Sequence, residues 1–156
     1  MMKKSIVLIL LSVFIGVGTM YAQKVKPVEY GGSVNLVREL SDDMIVIRSL
    51  GYGKNEATAR EDAEVRVMRA VLYTGFPKYN RFLNESDAES KHNEYFTRFF
   101  DQKYYKNFIT GAVTVGNLEK VKGQKVKQMP FDITVNRKAL RQELVQNKIG
   151  RLGFGR

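Results

Sequence analysis

Cysteine and tryptophan are absent from the 156 residues, histidine occurs once, as His92, and proline three times. Without cysteine there is no disulfide, no thiol nucleophile, no thiolate metal site and no lipid on a cleavage-site cysteine. A single histidine leaves a zinc site dependent on carboxylates, an uncommon donor set. His92 beside Glu89, Lys91 and Glu94 therefore reads as a helix-surface residue rather than a ligand or an acid–base catalyst. Phosphate-binding signals are also missing. Gly51-Tyr52-Gly53-Lys54 offers two glycines of a dinucleotide fingerprint, but Glu56 stands where the third belongs. No serine-centred elbow or close carboxylate pair is visible. No catalytic residue, metal ligand or cofactor is assigned.

Long apolar runs are confined to the start. Lys3 and Lys4 precede an apolar stretch over residues 6–17, and small residues follow to Ala22. That is the tripartite pattern of a secretory signal peptide, too short for a stable span once cleaved, so residues 1–22 are expected to leave the mature chain. An uncleaved N-terminal anchor is the alternative. Residues 23–32, with Pro27 and Gly31-Gly32, read as a flexible lead-in. About 134 residues then remain, enough for one core that must hold without cross-links.

Charge is abundant and uneven. Loss of Lys3 and Lys4 takes the formal charge from +10 to +8, and residues 119–156 hold ten Lys/Arg against three Asp/Glu. In an exported protein this excess points to an anionic surface component or an acidic protein before nucleic acid. The plainer reading is that Lys120, Lys122, Lys125 and Lys127 solvate a hairpin and discourage edge pairing.

The chain is organised around residues 44–72. Residues 44–50 form a β-branched apolar run, expected as a strand. Gly51 and Gly53 let the backbone turn, and Asn55 is a good N-cap. Ala59, Ala63, Val67, Ala70 and Val71 share one face of the following helix, while Asp62, Arg66 and Arg69 point away. Residues 34–40 serve a first strand, hairpinned to the second, or equally a short helix.

Residues 75–108 hold ten of the seventeen aromatics. Gly75 closes the preceding helix, and Ser86 with Glu89 has capping-box spacing, predicting one helix over 87–101. Phe96, Phe99 and Phe100 share a side of it. With Tyr104 they line a groove for a partner or ligand, or they form a second small core. Ile109, Gly111, Val113 and Val115 alternate as the buried side of a strand, Lys122-Gly123 marks a turn, and Phe131, Ile133 and Val135 face inward on the return. Pro130 suggests a bulge or an edge position. Asn136 caps a last helix over 137–148, with Leu140 and Leu144 inward and Gly150 as its stop. Residues 151–156 are a short basic tail.

These elements predict an α+β fold: a small antiparallel sheet of three to four strands, helices on one face, and a single domain over 33–150. The order β-α-(α insertion)-β-β-α, with Gly51, Gly53, Glu56, Ala57, Ala63 and Ala70, resembles the small exported domain of envelope lipoproteins and the amino-terminal part of flagellar assembly protein T. The likeness implies a non-enzymatic structural or assembly part of a Gram-negative envelope, periplasmic or at the cell surface. Partner contacts are expected at Lys120, Lys122, Lys125, Lys127, Phe96, Phe99 and Tyr104. The alternative is a small-ligand carrier, for lipid or glycan, with its pocket under the aromatic insertion helix.

Overall fold

A computed structural model describes residues 33–83 and 87–149. The signal segment, the lead-in, Ser86, Gly150 and the basic tail lie outside them. The fold is α+β. Strands β1 (Val34–Ser41), β2 (Met44–Gly53), β3 (Ile109–Thr114), β4 (Glu119–Lys120) and β5 (Lys127–Asn136) form one antiparallel sheet, ordered β1-β2-β5-β3, with the two-residue β4 also on β5. The sheet thus has five strands where three to four were expected, the extra one being β4. The ambiguous first segment is a strand hairpinned to β2 through Asp42 and Asp43.

Helix α1 (Glu56–Arg69) follows β2 after two residues. Asn55 caps it: its Oδ1 accepts from the Thr58 amide at 2.9 Å, and Thr58 Oγ1 returns the favour to the Asn55 amide at 3.2 Å. Ala59, Ala63 and Val67 are fully buried against the sheet. The strand runs on through both glycines, so these do not turn the chain. Gly51 is there for closeness: a Cβ on it would lie 1.8 Å from the Ala59 carbonyl oxygen. Among described glycines, positive φ is confined to Gly75 and Gly123. Asp62, expected to point away from this face, accepts from the Tyr52 amide at 2.9 Å and from Arg66 Nε at 2.7 Å.

Alternation on the paired strands places Ile45, Ile47, Phe131, Ile133 and Val135 on the helix-covered face, each wholly buried. Arg48 and Asp132 meet on the other face in a bidentate pair at 2.7 and 2.9 Å. Pro130 stands in β5, between β2 and β3, not at an edge. Its missing N–H is tolerated there because β3 ends beside it: Val115 donates to the Pro130 carbonyl at 3.1 Å, and Gly116 passes tightly over its ring. A bulge between Ile109 and Gly111 shifts the alternation of β3 by one residue. Ala112 then packs on the core, whereas Val113, expected inside, is 62 % exposed.

The insertion departs most from expectation. Helix α1 runs into a π turn over Ala70–Thr74, closed by a 2.8 Å bond from the Gly75 amide to the Ala70 carbonyl. One helix over 87–101 is instead two: α2 (Ala88–Lys91) and α3 (Asn93–Phe96), broken at His92 and extended by a second π turn over Thr97–Asp101. Asp87 occupies the N-cap without a side-chain cap bond. A 3-10 turn (Tyr104–Phe108) leads into β3, and α4 (Arg137–Gln146) follows β5, capped by Asn136 Oδ1 on the Ala139 amide at 3.0 Å.

Candidate functional site

Three places carry the sequence expectations: the aromatic insertion, the lysine hairpin and the space beneath the insertion. In the first, α3 and its π turn aim their rings inward. Phe99 is 0 % exposed and Phe96 only 4 %. Phe99 touches the rings of Tyr95, Phe100, Tyr105 and Phe108 at centroid distances of 5.6, 5.0, 6.3 and 5.9 Å. Phe96 and Phe99 are therefore core, not partner-contact residues, because the fold has already spent their surfaces on each other. Tyr104 is half-buried, edge-on to Phe108 at 5.7 Å and beneath the Arg98 guanidinium at 5.0 Å. The insertion is tied to α1 by Arg69, which pairs with Glu89 at 2.7 Å and lies 4.3 Å over the Phe100 ring. Tyr73 donates to the same carboxylate at 2.9 Å, and burial pushes its phenol far up.

The lysines present a different surface. The pairs Glu119↔Gln128 and Lys120↔Lys127 close the hairpin, and the Val121 amide donates across it to the Val126 carbonyl at 3.2 Å. Lys120, Lys122 and Lys125 are exposed, and Lys127 is half-buried. Among the described residues none of the four is in an ion pair, whereas Lys78, Lys91, Lys103 and Lys106 each face a carboxylate. On the far side of β5, Lys127 pairs with Gly53. That register brings exposed Lys54, next in the chain, to the same end of the sheet as the first turn of α1. Lys54 has no signal of its own in the sequence, since only strand pairing joins it to residues seventy positions on.

The third place is not where a carrier needs it. The space under the insertion is filled by rings. A cavity of about 240 Å³ opens instead beside β3, lined by Glu64, Lys106, Ile109, Thr110, Gly111 and Ala112. Glu64 is 6 % exposed, and its Oε2 is buried without a hydrogen bond. Lys106 Nζ stands 3.7 Å away, a long ion pair, and 3.4 Å from Glu61 Oε1. Glu61 is better served by Lys103 at 2.7 Å, whose hydrogen bond holds the Glu61 carboxyl below the usual range. Glu64 goes the other way. Burial pushes its carboxyl up and the Glu61 charge adds to this, against the opposing pull of Lys106.

A carboxyl raised on folding holds its proton more tightly in the native state. Its stabilising effect is present below the ordinary glutamate value of 4.5 and is lost as pH rises through the native value. Urea denaturation across pH should show this directly. From about pH 4 upward, the wild type should lose stability relative to Glu64→Gln, whose amide does not titrate. A constant difference between the two proteins would mean that the acid is not desolvated.

The chain matches no protein-family model, no curated protein and no solved structure. What it does must be argued from its surfaces. No three His, Cys, Asp or Glu side chains among the described residues are grouped to hold a metal ion. No described helix is long and apolar enough to cross a membrane.

Proposed function

We propose that the protein is a non-enzymatic exported module of a Gram-negative cell envelope, which binds an acidic partner protein or another anionic surface component through its lysine end. The observation that carries this reading is the register of β5. It gathers Lys54, Lys120, Lys122, Lys125 and Lys127 at one end of the sheet, and no carboxylate among the described residues pairs with any of the four hairpin lysines. Unpaired charges of one sign on adjoining loops raise the local concentration of an opposite charge and speed its encounter. The signal-like segment and the likeness to envelope domains supply the compartment. The second reading, a lipid or glycan carrier, has less support among the described residues: the cavity beside β3 is below the usual size of ligand pockets, and rings occupy the insertion's interior.

Heparin chromatography and binding to an acidic polypeptide test the reading. Replacing Lys120, Lys122, Lys125 and Lys127 with alanine should weaken binding about ten-fold or more at low salt, at ~0.2–1 kcal/mol per exposed pair. The difference should fade as salt is added. Alanine at Lys78, Lys91, Lys138 and Lys148 removes the same charge from elsewhere and should do much less. Equal effects of the two sets would reduce the lysine end to a solvated edge.

A further inference from the structure

The two edges of the sheet are not alike. β1 is irregular at two places along its register and carries Arg38 and Glu39, devices that discourage a further strand. β3 has neither charge nor proline, and among the described residues no strand follows it in the order. The bond from the Val115 amide to Pro130 fixes the phase of its ladder. Alternation along an antiparallel pair then turns the amides and carbonyls of Ala112 and Thr114 outward, where no strand among the described residues meets them. The cavity lined by Glu64, whose buried Oε2 makes no hydrogen bond and has only the long ion pair to Lys106, opens on this same edge.

We infer that β3 accepts an extended segment of a partner protein as an added strand, with an Asn or Gln side chain of that segment seated between Glu64 and Lys106. Strand addition supplies affinity through the main chain, and a side-chain pocket supplies the choice of sequence. The chemistry of the pocket selects the occupant. Glu64 Oε2 needs a donor, and Lys106 Nζ, held only by contacts of 3.4 and 3.7 Å, has a donor to spare. A carboxamide offers both halves of that match. A lysine or arginine would bring a further positive charge beside Lys106 and Lys103, where two carboxylates already face two ammonium groups. A second copy of this chain, paired through its own β3, presents Ile, Thr, Gly, Ala and Val, none of which offers an amide side chain. The site lies apart from the lysine end: Thr134, paired with Gly111, is seven residues along β5 from Lys127, or roughly 23 Å.

The test is a nuclear magnetic resonance titration of the full mature chain with a short host peptide of alternating threonine and valine, its central residue Gln, Asn, Ala, Lys or Glu. The Gln or Asn peptide should bind at least ten-fold more tightly than the Ala, Lys and Glu peptides, with the Ala112 and Thr114 amides among the strongest shifts. Glu64→Leu keeps the volume, removes both oxygens and should erase the preference. Thr114→Pro, with its fold checked by thermal unfolding, should lose every peptide. The inference is overturned by binding that ignores the central residue, by a preference for Lys, or by a preference that survives in Glu64→Leu. Failure of any peptide to move the β3 amides overturns it too, as does peptide-free self-association through β3.

Discussion

Gly51→Ala is expected to be the most damaging small substitution in the chain, costing more than about 3 kcal/mol in chemical denaturation. The added methyl would stand 1.8 Å from the Ala59 carbonyl oxygen and 2.9 Å from the Ala63 Cβ. Neither neighbour can yield alone: one is helix backbone, and the other is a side chain with no rotamers to change. Relief requires α1 to lift from the sheet, which loosens the fully buried Ala59, Ala63 and Val67 together. A variant within about 1 kcal/mol of the wild type would show that α1 rests on β2 less closely than described.

Phe99→Ala is expected to cost about 3–5 kcal/mol, the usual range for emptying a fully buried aromatic site. Five rings meet Phe99 within 6.3 Å, and of these Phe96 and Tyr105 are themselves buried, so collapse cannot refill the space. The melting temperature should fall by about 10 °C or more. Tyr104→Ala, at a half-buried site, should cost far less. If the two variants melted together, the inward placement of Phe99 would be wrong.

Where local pattern and global packing agree, the sequence was readable. The β-branched run of β2, the Ala59, Ala63 and Val67 face of α1, the Asn55 and Asn136 caps and the alternation of Phe131, Ile133 and Val135 each carry their own signal and are found in place, whereas Ala70, expected on the same face, is half-buried in the π turn beyond α1. Elsewhere a distant contact decides. The bulge after Ile109 reverses which residues of β3 face inward, and no residue type in ITGAVT announces it. The break at His92 divides a helix whose pattern looked continuous, because the rings after it must reach a core that α1 and α4 define. The glycines at the end of β2 look like a turn from the chain alone, whereas their use is to let another backbone approach. Within the candidate sites, the hairpin lysines were legible as a local cluster. Lys54 and the Glu64 cavity were not, since strand register and tertiary burial create them.

The ladder of β2 and β5 pairs Gly51 with Met129 and Ser49 with Phe131, but Ile47 with Ile133 and Ile45 with Val135. Small beside large makes a trough; like beside like makes a level floor. The early turns of α1 lie in the trough and are steered by shape, whereas its later turns bury Val67 and Met68 over the level floor and are moored from outside as well, by Arg69 and Tyr73 on Glu89. Amide hydrogen exchange should therefore be graded along this one helix. Protection should be lost first at its far end whenever the mooring is cut, while the residues over Gly51 stay closed.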